Sequence, residues 1–397
     1  MTAVTLLERD GGIRAVELAE APALMRPVTP LASRVAYAAA HVVPLVHGEN
    51  VPGHPAQVDW EATLAFRHHV WSWGLGVADA MDTAQRNMGL DWPATQELIR
   101  RSAAEAASVG ASLVVGVNTD QLTEEVVPLT RVIDAYLEQL AFAEDAGAGV
   151  VMMASRHLAR AASSAADYER AYAAVLARAS APVILHWLGD AFDPALAGYF
   201  GSSDVTEASD TVVRIIENDL ASVSGIKMSL LDADAEIALR ARLPRGATLY
   251  TGDDFNYVGL IEGGADPDGE VRHSDALLGA FAAVAPNASA AIQALDRDDT
   301  AEYRRLLGPT EALSRQVFAA PTQYYKTGVA FLSWLNGHQQ AFSMVGGLHS
   351  ARSLPHLSEI VRLANEAGAL ERPELAAARW TQLLALSGVD AVRTVLV

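Results

Sequence analysis

Eight short apolar runs, each followed by a longer polar or amphipathic stretch, constrain this chain more than any other feature. They fall at 34–42, 75–82, 111–118, 148–155, 181–187, 223–229, 246–253 and 277–287. Each is apolar throughout rather than alternating, the pattern of parallel strands buried on both faces. Between them the spacing predicts amphipathic helices over 60–73, 93–109, 129–146 and 166–179. The second opens at Pro93 and stops at Gly110, the proline-in, glycine-out asymmetry of a helix. Strand–helix alternation repeated eight times predicts an α/β chain closed into a (β/α)8 TIM barrel. An open doubly wound sheet is the structural alternative, but it would carry a glycine-rich phosphate turn. Neither GxGxxG nor GxxxxGK[ST] occurs.

The flanks read differently. Residues 4–18 alternate around Asp10-Gly11-Gly12, a β-hairpin that precedes the barrel and could plug its N-terminal end. From about residue 290 the pattern is helical, and 321–337 ends at Asn336-Gly337. The expected organisation is an extension over 1–33, a barrel over 34–290, and helices over 291–397 packed on it.

Composition enters as a filter. With 51% hydrophobic residues, 397 residues can build one barrel with insertions around a large core. The formal charge of −19 repels phosphate backbones and anionic lipid, so neither nucleic acid nor a membrane surface is an expected partner. The absence of cysteine excludes disulfides, thiolate nucleophiles and Cys-ligated metal sites. The first residues lack the basic start and apolar run of a signal peptide, and no apolar run is long enough to span a bilayer. The expected location is the cytoplasm.

Several motifs, in order, resemble the dihydrodipicolinate synthase and N-acetylneuraminate lyase superfamily. The sixth run reads Gly225-Ile226-Lys227-Met228-Ser229, like the family's GIKxx. The fifth reads Pro182-Val183-Ile184-Leu185-His186-Trp187, where the family has P-x-I-L-Tyr-Asn. Thr251-Gly252-Asp253-Asp254 matches S-G-D-D, and Pro321 with Lys326 echoes a late P-x-P-x-x-x-K helix. The chain looks closest to a "dihydrodipicolinate synthase-like" branch. The resemblance implies a barrel whose lysine forms an imine with a carbonyl substrate, without another cofactor, in a homo-oligomer (dimer or tetramer). The departures point away from pyruvate. Residues 82–87 replace the G-T-T-G-E loop that holds its carboxylate, His186 replaces the tyrosine proton relay, and no arginine follows strand five.

Read as chemistry, Lys227 at a strand end is either a nucleophile desolvated by Ile226 and Met228 or a lysine snorkelling to solvent. His186 is either a proton shuttle, with an ordinary pKa of about 6.5, or a core histidine bonded to a carbonyl. Asp82, Asn118 and Asp253 end strands two, three and seven, where they could hold substrate hydroxyls or cap helices. Arg86 could receive an anionic group or form a surface ion pair. Lys326, beside Tyr324 and Tyr325, is read as structural, and His68-His69, Trp71 and Trp73 as packing. The loop over 187–210 has the length of a lid, and 265–274 reads as surface.

Three functions follow. The first is a class I Schiff-base lyase or aldolase acting on a polyhydroxylated carbonyl compound, such as a keto-sugar or sugar-derived keto acid. Lys227 is its nucleophile, His186 its acid/base, and Asp82, Asn118, Asp253 and Arg86 its substrate contacts. The second is a metal-dependent sugar lyase, isomerase or epimerase, with His41, Asp82, His186 and Asp253 holding a divalent ion. The third is a non-catalytic barrel that binds a carbonyl metabolite, against which the retained lysine argues.

Overall fold

The computed structural model describes residues 2–81 and 85–389. Two strands, β1 (Thr2–Leu7) and β2 (Ile13–Leu18), precede the barrel. Its strands are β3 (Ala36–Ala39), β4 (Gly76–Asp79), β5 (Leu113–Val117), β6 (Gly149–Met152), β7 (Val183–Leu188), β8 (Val223–Ser229) and β9 (Thr248–Thr251). A two-residue pair, β10 (Gly264–Ala265) and β11 (Val271–Arg272), leads to the last barrel strand, β12 (Asp275–Leu278). Helices α1 (Trp60–Ser72), α2 (Trp92–Val109), α3 (Leu129–Asp145), α4 (Arg156–Ala161), α5 (Ala165–Leu176), α6 (Val205–Asn218), α7 (Ala233–Arg240) and α8 (Tyr257–Glu262) lie between the strands. Then come α9 (Ala285–Leu295), α10 (Thr300–Val317), α11 (Tyr325–Leu335), α12 (Leu354–Glu366) and α13 (Pro373–Leu386).

The strands β3 to β9 pair in sequence, and β12 closes the ring between β9 and β3. Every pairing is parallel. This is the (β/α)8 barrel the periodicity predicts. Its interior is a small apolar cluster that includes Ala39, Ala78, Val114, Val151, Ile184, Tyr250 and Leu277. Strand side chains alternate, so residues two positions on from these also face the axis. His186 and Gly252, Asn118 two such steps along β5, and Lys227 in register with His186 therefore belong to the inner face, toward the C-terminal ends of their strands, and Asp79 to the outer face; His41, beyond the end of β3, packs against Phe66 of α1.

Aspartates start many of the helices. Asp59, Asp91, Asp204, Asp232 and Asp299 each accept a backbone N–H in the first turn, and Gly110 ends α2 at φ 64°. On the outer face Arg67 of α1 makes a two-pronged ion pair with Asp79, at 3.0 and 2.7 Å. It also donates to the carbonyls of His41 and Thr63, while Ser102 of α2 donates to Asp79 at 2.6 Å. Both charges are fully buried. This joint ties α1 and α2 to β4 and fixes the chain at the end of β3.

Four expectations change. The run over 277–287 is a strand only to Leu278; Gly279 and Pro286 then start a turn and α9. The helix is buried on most sides, so it is as apolar as a core strand, and periodicity alone cannot tell the two apart. The hairpin does not plug the barrel. It lies on the C-terminal helices, with Trp380 donating to the Thr5 carbonyl at 2.6 Å and Leu7 N–H donating to Ser358 at 2.7 Å. The lid-length loop is pinned: Tyr199 and Phe200 are buried against Tyr168, Tyr172 and Trp187, and Asp193 pairs with Arg156. The segment 265–274 is not merely surface, because Asp266 is buried in an ion pair with Arg240. No described helix is long and apolar enough to cross a membrane.

Candidate active site

Lys227 sits near the end of β8, in register with His186 on β7 and Tyr250 on β9. In-register parallel neighbours point the same way, so the three side chains share the inner face. Lys227 is 8% exposed. Gly252 follows β9 where a side chain would collide: a Cβ there would lie 2.1 Å from Ser229 Oγ and 2.7 Å from Lys227 Cε. Glycine at this point of the Thr-Gly-Asp-Asp motif therefore makes room for the lysine stem.

His186 is 2% exposed. Its Nε2 lies 3.3 Å from Ser229 Oγ, and its Nδ1 has no partner among the described residues. Burial, reinforced by the charge of Lys227, holds the imidazole well below its ordinary pKa. The expected titration near neutrality is thus displaced downward. At pH 7 the ring is neutral, with one nitrogen able to donate and the other able to accept.

Two further groups complete the constellation. Asp254 is buried, and its carboxylate accepts the Ala280 N–H at 2.8 Å. Burial pushes its carboxyl up, against the Ala280 hydrogen bond and the charge of Lys227. Lys326, in the first turn of α11, is buried and donates to the carbonyl of Ala39 at the end of β3. Burial brings it down to about 7, opposed by Asp254 and aided by Lys227. Two amines and a carboxyl thus interact inside the C-terminal end of the barrel. The sequence reading treated Lys326 as structural and Asp254 only as part of a motif. The signal available was the second aspartate of that motif and the one lysine of an otherwise apolar helix.

The other expected site residues separate. Asn118 is buried beside a polar cleft of about 220 Å³ bordered by Thr119, Arg156, His157 and Arg160. Asp253 is engaged locally, accepting from Phe255 and Asn256 N–H and from the Asn256 amide. Arg86 is fully buried and not at the surface. Its five N–H groups serve Asp120 (2.8 and 2.6 Å), the Ala80 and Gly116 carbonyls, and Gln139. No donor is left for an anionic substrate. His41 holds Gln339 Oε1 at 2.8 Å through Nε2. Asp82 lies outside the described residues. The metal set of His41, Asp82, His186 and Asp253 therefore loses Asp253 to its turn and the Nε2 of His41 to Gln339. Among the described residues those side chains do not cluster as ion ligands.

A barrel with a buried lysine on its sixth strand defines the class of protein by fold. Solved structures with a similar fold include dihydrodipicolinate synthase from Bacteroides thetaiotaomicron, at 16% identity and TM-score 0.63, over 84% of this chain and 98% of that one. A putative dihydrodipicolinate synthase family protein from Coccidioides immitis matches at 14% identity and TM-score 0.63, over 87% and 99%. The 4-hydroxy-tetrahydrodipicolinate synthase from Methylacidiphilum fumariolicum SolV matches at 18% identity and TM-score 0.60, over 88% and 99%. No curated protein matches the sequence. By sequence the chain belongs to the family described as "Protein of unknown function (DUF993)", matched over residues 4–389.

Proposed function

We propose that this protein is a class I lyase of the aldolase type, in which Lys227 forms an imine with a carbonyl substrate and no separate cofactor takes part. The observation that carries the reading is Lys227 itself: a buried amine on the inner face, packed between His186 and Tyr250 at the substrate end of a barrel. Burying an amine costs free energy. The likeness of fold to dihydrodipicolinate synthases is a supporting analogy.

In this reading the neutral Lys227 amine adds to the substrate carbonyl carbon and water leaves. The imine, once protonated, accepts the electron pair of the bond between the α- and β-carbons as it breaks, giving an enamine and a released carbonyl fragment; protonation of the enamine and hydrolysis by water then free the second product and Lys227. His186 takes the proton of the β-hydroxyl, because its Nδ1 is not engaged by the protein. Asp254 interacts electrostatically with both lysines. The substrate class is a polyhydroxylated carbonyl compound, such as a keto-sugar or sugar-derived keto acid. The reason is the missing pyruvate-carboxylate loop in the sequence. With Arg86 fully engaged and Asp253 held in its turn, Asn118 is the expected substrate contact left among the described residues.

The test is borohydride trapping with a panel of keto-sugars and keto acids, followed by intact mass and peptide mapping. A reduced adduct on Lys227, abolished in a folded Lys227→Ala variant, is the expected result. Turnover that survives in Lys227→Ala refutes the mechanism.

A further inference from the structure

We propose that His69, His338 and Glu371 form a binding site for a divalent transition-metal ion such as zinc, on the outside of the barrel where α1 meets the C-terminal helices. The ligands come from three separate pieces of chain: the last turn of α1, the turn after α11, and the stretch entering α13. Their ligand atoms all lie within 4.8 Å of one another. Glu371 Oε1 is 2.8 Å from His338 Nε2 and 3.6 Å from His69 Nε2, and the two imidazole centroids are 4.0 Å apart. A tetrahedral ion with bonds of about 2.0–2.1 Å separates its ligands by roughly 3.3 Å. One of these contacts is already close to that spacing, and the hydrogen-bonded one needs to open by about half an ångström. Two imidazole nitrogens and one carboxylate oxygen are a donor set zinc uses, and they leave a fourth position for water.

The site is also built rather than accidental. Phe66 lies against both rings, with centroids 6.0 Å from His69 and 5.8 Å from His338. The backbone of Glu371 is held by Asn336 Oδ1 at 3.0 Å, and that of His338 by the Ser333 carbonyl at 2.9 Å. Such outer hydrogen bonds fix the direction of a ligand before the ion arrives. Metal entry requires only that His338 take the tautomer with its hydrogen on Nδ1, freeing Nε2 as the ligand. His68, the neighbour of His69 on α1, and Glu105 of α2 make a superficially similar pair at 2.9 Å but have no third ligand among the described residues, and both are more exposed. The next residue after His338 is Gln339, which holds His41 just beyond the end of β3, so an ion here would brace the turn that supports that contact.

The experiment uses the full chain, stripped with chelator, then dialysed against zinc and analysed for bound metal. One zinc per chain is expected. His338→Gln and Glu371→Gln should each weaken binding at least about tenfold, and His68→Gln should leave it unchanged. Cobalt in place of zinc should give the intense visible absorption of a four-coordinate ion, a readout on the native chain that does not depend on a variant folding. The proposal is overturned if the stripped chain takes up no stoichiometric zinc or cobalt. It is equally overturned if a folded His69→Gln/His338→Gln variant binds as tightly as the parent. Neither readout involves turnover, so the result is independent of the fate of Lys227 chemistry.

Discussion

Replacing Asp79 with alanine tests the joint that holds the barrel ring together. In the native chain Arg67 and Asp79 are both fully buried, joined by two N–H to oxygen bonds, and Ser102 donates to the same carboxylate. Removing the carboxylate leaves a guanidinium in the interior with only the His41 and Thr63 carbonyls, and an orphaned Ser102 hydroxyl. Breaking a buried pair from one side costs about 3–5 kcal/mol, because the remaining charge keeps its desolvation penalty. The joint replacement Arg67→Met/Asp79→Leu removes both charges and should lie within about 1–2 kcal/mol of the parent, since well-packed apolar residues often substitute for a buried pair. Urea unfolding followed by circular dichroism measures both. A loss below about 1 kcal/mol in Asp79→Ala, or a double variant less stable than either single one, would refute the reasoning.

Two other outcomes follow from the same geometry. Gly252→Ala places a Cβ 2.8 Å from the Met228 carbonyl as well as against Ser229 and Lys227. It should cost about 1–3 kcal/mol and slow imine trapping at Lys227 by roughly 100-fold; an unchanged trapping rate contradicts the assigned role of this glycine. Burial pushes Glu236 from 4.5 to about 8, against hydrogen bonds from Ser274 and Thr251. Between those values only the folded chain keeps the proton, so stability falls as pH rises toward 8, by about 1.4 kcal/mol per unit at most. Glu236→Gln should flatten that slope in urea titrations run from pH 5 to pH 8, and an unaltered slope would show that another group carries it.

The barrel was legible because its cause is local and repeated. Each strand buried on both faces must be apolar throughout, and each helix must present one face to the sheet, so the alternation is written in the chain. The same logic placed Lys227 and His186 at strand ends, where inner-face residues meet substrate. It failed for 277–287, where strand and buried helix are equally apolar.

What only the tertiary structure decided is which polar groups meet. Asp79 ends a strand, and composition cannot say that it faces outward to a buried arginine. Arg86 looks available in a loop until the fold surrounds all five of its N–H groups. Lys326 reads as one cation on an apolar helix until that helix carries it over the end of β3 and beside Asp254. His69, His338 and Glu371 carry no spacing that announces a cluster, because their proximity comes from docking the last helices on α1. Periodicity is a property of neighbours along the chain, and from it the sequence alone determines the architecture. The meeting of remote charges depends on side-chain direction and closure of the ring, which exist only once the chain has folded.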